Sequence, residues 1–210
     1  MMSKLSEYTK NHKSLYDRPE LNTLPLVING YGGPGSGKST TCLHLVAELK
    51  KLGYNAEYVP EYAKELVYEE NYELLDGKVE HQAAILLEQN RRVERLVKNV
   101  DFIVSDSPIL LSEIYVKERN TIFDKCVDEL NSHYPAFSFF VERDNERFQE
   151  EGRIHNFEES KAKDREIKEL LKNKDIYFGT YNHKTIDKII PNCIKTWARI
   201  NRERVLFDNF

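Results

Sequence analysis

The eleven residues Gly30–Thr40, GYGGPGSGKST, hold five of the nine glycines of a 210-residue chain. They fit the pattern G-x-x-x-x-G-K-[ST], with Gly32, Gly37, Lys38 and Ser39 at the fixed positions. Such a loop turns its backbone N–H groups inward around an anion, and side chains there would block the approach or forbid the required φ angles. The lysine then reaches the outer phosphates, and the serine hydroxyl takes a Mg²⁺ ligand position. The flanking residues agree. Leu26-Val27-Ile28 reads as a buried strand, while Cys42, Leu43, Val46, Leu49 and Leu52 recur at helical spacing with Gly53 as a stop. Strand, glycine loop, helix is the arrangement that aims a helix N-terminus at a phosphate. Gly32, Gly33, Pro34, Gly35, Ser36, Gly37, Lys38, Ser39 and Thr40 are therefore the expected ATP-binding segment.

Further strands are expected near Ala56–Val59, Asp101–Ser105 and Ala136–Val141 and in DIYFGTY, ending near Gly179 and Thr180. Between them the spacing predicts a helix from about Glu61, a long helix from Val79 to about Asn99, helices in PILLSEIYVKER and TIFDKCVDELNSHY, and a final amphipathic helix in NCIKTWARINRERV. Strands alternating with helices imply one domain over residues 1–210: an α/β P-loop NTPase fold, a five-stranded parallel sheet with helices on both faces. Residues 1–23 form a polar N-terminal extension. Residues 143–172 are intensely charged and read as two helices around Gly152, a mobile lid.

A net charge of −4 advertises no basic face and disfavours tight binding to a nucleic-acid backbone. Cys42, Cys126 and Cys193 lie far apart without metal-ligand spacing, as reduced thiols would. With no apolar leader and no run of membrane-spanning length, a cytoplasmic protein is expected, the host cytoplasm if it is viral. The sequence leaves monomer and homodimer open.

In a parallel sheet, ligands collect at the carboxyl ends of the strands. Asp106, after the third strand, is placed to hold Mg²⁺ with Ser39, although an Asp before Pro108 is also a good helix cap. Glu61, after the second strand, is the candidate base for an acceptor hydroxyl, with Asp106 its competitor. Arg143, Arg147 and Arg153 are the cations expected to neutralise a transferring phosphoryl group, Arg153 foremost, and the charged run also reads as a solvated helical face. Together with Lys38, Glu61 and Asp106, Arg153 completes the expected catalytic set. Gly179 and Thr180 complete the nucleotide contacts. On the acceptor side, Tyr58, Tyr62, Tyr68 and Tyr72 form a tyrosine cluster, and Tyr62, Gln82, Gln89 and Arg92 are the candidate substrate contacts. No arginine occurs between Leu52 and Gln89. A nucleoside monophosphate is usually clamped by arginine, so a neutral, nucleoside-like acceptor is favoured.

The segments GGPGSGKST, PEYAKE, HQAAILLEQNRR and VDFIVSDSP, in this order, resemble the AAA-labelled group of P-loop proteins and the ribosylnicotinamide kinase domain of NadR-type proteins, over about residues 25–180. The resemblance implies a nucleoside or nucleotide kinase rather than a ring ATPase, with ATP and Mg²⁺ as cofactors. Glu61 matches the place of the base in deoxynucleoside kinases. Ser105-Asp106-Ser107 departs from their Glu-Arg-Ser motif, and of the Asp-Thr-Asp-like motif of NadR-type kinases only Asp106 is matched. The expected function is ATP-dependent phosphoryl transfer to a hydroxyl of a nucleoside-like small molecule. The alternatives are a kinase acting on a modified nucleoside within DNA or on a nucleoside monophosphate, and a regulatory NTPase with no acceptor.

Overall fold

The computed structural model describes residues 23–143, 157–182 and 185–207. Its centre is a sheet of five parallel strands: β1 (Leu26–Tyr31), β2 (Ala56–Val59), β3 (Phe102–Ser105), β4 (Ala136–Val141) and β5 (Phe178–Tyr181), in the order β2-β3-β1-β4-β5. All five expected strands are present. β1 outruns its apolar triplet and continues to Tyr31, buried throughout, because a central parallel strand is covered on both faces. The fifth strand ends at Tyr181, so Gly179 and Thr180 lie within it and not at its carboxyl end.

Among the described residues, seven α-helices connect or follow the strands: α1 (Lys38–Lys51), α2 (Tyr62–Tyr68), α3 (Val79–Glu94), α4 (Ser112–Tyr115), α5 (Thr121–Ser132), α6 (Phe157–Asn173) and α7 (Ile189–Phe207). α1 stops as Gly53 adopts φ 88 while the Gly53 and Tyr54 N–H groups bond back to Lys50 and Leu49 carbonyls, the left-handed helix stop that glycine favours. α3 ends at Glu94, short of the expected Asn99. Beyond it, Leu96, Val97 and Val100 turn inward to pack on Val27, Val59, Val93 and Ile103. The helix expected in PILLSEIYVKER is broken into a fully buried 3-10 turn, Ile109–Leu111, and the short α4, so burial rather than propensity sets its path. Of the two helices expected in the charged segment, α6 is present; Gly152 lies outside the described residues.

Two apolar layers sandwich the sheet. One side packs α1 and α7 on Leu26, Ile28, Phe102, Val104 and Phe139, with Trp197 fully buried. The other packs α3, α5 and α6 on Tyr31 and Phe140. α7 is also sewn to the start of β1. Trp197 Nε1 and Asn201 Nδ2 donate to the Leu24 carbonyl at 3.0 and 3.2 Å, and the Leu24 N–H donates to Asn201 Oδ1 at 2.8 Å. No described helix is long and apolar enough to cross a membrane.

Candidate active site

β1 lies where the strand order reverses: the chain leaves it towards β2 and β3 on one side, then crosses to β4 and β5 on the other. Crevices of α/β sheets open at such switch points, beyond the strand carboxyl ends, and here the Gly32–Gly37 loop occupies that place. Gly37 begins α1 with φ 92 and ψ 13 and no side-chain cap, so the first-turn amides have no side chain bonded across them. A Cβ at Gly37 would meet nothing within 4 Å. Backbone conformation, not space, requires glycine there.

Lys38 is buried and its Nζ donates to the Gly33 carbonyl at 3.1 Å. Asp106, immediately after β3, is 2% exposed. Its Oδ2 accepts from Ser39 Oγ and, at 2.6 Å, from the Tyr58 hydroxyl, while its Oδ1 is buried without a hydrogen-bond partner. Burial, then the bond to Asp106, pushes the Tyr58 phenol well above its ordinary range, so it stays a donor. Ser36 Oγ and Arg143 Nη1 are also buried and unpartnered. Buried polar atoms are nearly always hydrogen-bonded, so three orphans around one loop mark a place built for a polar ligand. Asp106 and Ser39 offer hard oxygens side by side, the donor type Mg²⁺ takes, and the orphaned Oδ1 fits that ion.

Arg143, just past β4, has its Nε on Asp164 at 2.5 Å, with Nη2 donating to the Ser160 carbonyl at 3.2 Å and to Ser160 Oγ. It therefore meets the loop through α6. Arg147 and Arg153 fall outside the described residues. Gly179 and Thr180 pair with Phe139 and Phe140 of β4 in the outermost strand, on the far side of β4 from the loop's own strand.

On the other flank, Glu61 is the residue before α2, one strand over from Asp106. The expected tyrosine cluster does not form. Tyr68 and Tyr72 are 68% and 55% exposed, Tyr58 turns to Asp106, and Tyr62 lies under the Arg92 guanidinium, 4.8 Å from its ring centre. Arg92 is bound bidentately to Glu65, with one arm 2.7 Å long, and reaches Glu88 at 2.9 Å. Arg91 also pairs with Glu88, and Lys78 pairs with Asp76. Gln89 spends its amide on backbone, accepting from the Tyr62 N–H at 3.1 Å and donating to the Pro60 carbonyl at 3.2 Å, which fixes the peptide turn carrying Glu61. Gln82 shares the buried stripe of α3 with Gln89. It is 4% exposed, and its side-chain amide makes no hydrogen bond among the described residues.

Sequence reasoning missed Ser160 and Asp164, which sit among alternating charges on α6 and carry no motif. It read Tyr58 as an acceptor contact. Strand parity was the available signal: Tyr58 and Ala56 share a face, and Ala56 packs towards α1, the helix that bears Ser39.

A family model described as AAA domain matches residues 27–186. None of the curated proteins matches the chain in sequence. The thymidylate kinase from Ehrlichia chaffeensis is similar in structure, at 16% identity and a TM-score of 0.54, covering 81% of this chain and 97% of that one. The deoxyadenosine kinase from M. mycoides with bound dATP is similar at 21% identity and a TM-score of 0.54, covering 81% and 99% respectively. At such identities the likeness is one of fold: the sheet and its helices are those of P-loop nucleotide kinases.

Proposed function

Since the chain belongs to the AAA domain family, whose model spans residues 27–186, we propose that it is an ATP-dependent kinase that phosphorylates a hydroxyl of a neutral, nucleoside-like small molecule. The observation that carries this reading is the contrast between unpartnered polar atoms at the phosphate loop and the carboxylate-paired Lys78, Arg91 and Arg92 on the acceptor flank. Lys38 and the first-turn amides of α1 hold the triphosphate. Ser39 and Asp106 hold Mg²⁺, which when bound neutralises charge on the phosphate oxygens. Asp106, drawn against the loop by Ser39 and Tyr58, is committed to that side. Glu61 is then the group left to take the proton of the acceptor hydroxyl, held in place by Gln89 through Pro60 and Tyr62. Gln82, buried and unbonded, is the acceptor-reading side chain, because an amide both donates and accepts towards a base or carboxamide edge.

Arg92 is too engaged to clamp a monophosphate, having a carboxylate on each side. The same pairings neutralise the arginines that would line a nucleic-acid groove on α3. Deoxynucleoside-like and ribosylnicotinamide-like acceptors both carry a planar edge that such an amide can read. The test is transfer of γ-labelled phosphate from ATP to a panel of nucleosides, ribosylnicotinamide, nucleoside monophosphates and modified-base DNA. Label on a free nucleoside-type compound is the expected result. Label only on a monophosphate or on DNA, or slow phosphate release with no acceptor, would remove this reading.

A further inference from the structure

Gly33 is bare for a reason unrelated to phosphate. A Cβ on it would lie 2.5 Å from the Ser160 carbonyl oxygen, 2.7 Å from Arg143 Nη2 and 2.9 Å from Asp164 Oδ1. Contacts this short are far inside van der Waals range, so the missing side chain is what lets α6 dock on the loop. The docking is polar. The Gly33 N–H donates to Asp164 Oδ1 at 2.6 Å, and Arg143 Nε donates to Asp164 Oδ2 at 2.5 Å. Arg143 Nη2 donates to Ser160 Oγ, and that hydroxyl donates onward to the Pro34 carbonyl. The Gly33 carbonyl receives Lys38 Nζ at 3.1 Å. The Arg143 side chain is 7% exposed and that of Asp164 16%, so the pair works in a weakly screened setting.

We propose that Asp164, with Arg143 and Ser160, positions the nucleotide site: α6 grips Gly33 and Pro34 from outside and, through the Gly33 carbonyl, sets where the Lys38 ammonium stands. The inference rests on the phosphate-loop reading above and adds Asp164 and Ser160, which touch neither phosphate nor acceptor. A glycine-rich loop left free must be ordered when the ligand arrives, at a cost to affinity; the α6 contacts order it beforehand. Asp164→Asn keeps an oxygen for the Gly33 N–H but turns an amide N–H₂ against Arg143 Nε–H, a donor facing a donor. The strut then fails while side-chain volume is conserved.

The experiment is equilibrium titration of the full chain with Mg²⁺ and a fluorescent ADP analogue, beside thermal melts without nucleotide. Asp164→Asn should weaken binding about tenfold, the size of one charged hydrogen bond lost, and raise the KM for ATP but not for the acceptor. Arg143→Gln should weaken it at least as much, since its unpartnered Nη1 is also a candidate ligand contact, and the double variant should be no weaker than Arg143→Gln alone, since both break one strut. A role in stability alone would lower the melting temperature of these variants and leave ADP affinity unchanged, which overturns the proposal, as would additive effects. Ser160→Ala, a milder cut, should weaken binding about threefold; wild-type affinity in it, if the charged variants do not fold, is equally fatal. Lys38→Ala separates the two readings. If it too binds ADP like the wild type, the phosphate-loop reading fails; if it alone loses binding, only the strut does.

Discussion

The two flanks of the crevice treat charge in opposite ways. Around the phosphate loop, Ser36 Oγ, Asp106 Oδ1 and Arg143 Nη1 are buried with hydrogen-bonding capacity unspent. Across β3, on α2 and α3, Arg91, Arg92 and Lys78 are each matched to a carboxylate within 3 Å, and the unspent groups on α3 are neutral amides, Asn90 Oδ1 and the side chain of Gln82. Leaving a buried polar atom unpaired costs on the order of 1–3 kcal/mol, so the orphans are tolerable where a strongly polar ligand will satisfy them. A flank whose Lys78, Arg91 and Arg92 are already neutralised suits a ligand without net charge. The molecule is thus asymmetric in charge demand before any ligand enters.

The sharpest way to break that comparison is on the charged side. Lys38→Ala should abolish phosphoryl transfer, by roughly 10³-fold or more as for other electrostatic clamps; transfer within tenfold of wild type would show that the loop is not the donor site. Glu61→Gln comes next, with kcat lower by about 10²–10⁴ for loss of a general base and the KM for ATP unchanged. An equal loss in Asp106→Asn with full activity in Glu61→Gln would reverse the two roles. On the neutral side, Gln82→Ala should raise the KM of the acceptor about tenfold by removing an amide that reads it, leaving ATP binding intact.

Smaller effects sharpen the picture. Tyr58→Phe removes a donor to Asp106 and should raise the Mg²⁺ concentration for half-maximal binding severalfold, about 1 kcal/mol, as read by Mn²⁺ titration monitored by electron paramagnetic resonance. An unchanged metal affinity would detach Tyr58 from the site. The smallest expectation concerns Arg92→Met and pH. The Arg92 hydrogen bond holds the Glu65 carboxyl below its ordinary value. A depressed folded value adds stability above the unfolded pKa, about 4.3, and that stability is lost as pH falls below it. The variant should melt slightly below wild type at pH 7, and the gap should narrow as pH falls below about 4.3. A gap that widened in acid would mean Arg92 does not act through Glu65.

Much of this was legible in the sequence because it is local. The loop, its strand and its helix are contiguous, and the three inner strands, β1, β3 and β4, announce themselves by apolar runs. The acceptor side was read less well. Four tyrosines close in sequence suggested a pocket, yet two project into solvent, one turns to Asp106 and one lies beneath Arg92. Side-chain direction follows strand parity and helix phase, which proximity in sequence does not encode. Gln89 looked free to read a base, but its partners are backbone atoms of Pro60 and Tyr62, 29 and 27 residues away. Asp164 was invisible because its meaning lies in Gly33, 131 residues earlier.

The stitching of Leu24 to Trp197 and Asn201 has a kinetic corollary. These bonds close a span of 173 to 177 residues, and the central strand they secure also carries the phosphate loop. Contacts so distant along the chain form late and slow a protein's assembly. On the ribosome, the start of the central strand must wait for Trp197 and Asn201 to emerge before its last partner reaches it. A chain that stalls before α7 leaves the rear of its phosphate-binding strand unfastened and an apolar face uncovered, a natural substrate for chaperones and proteases.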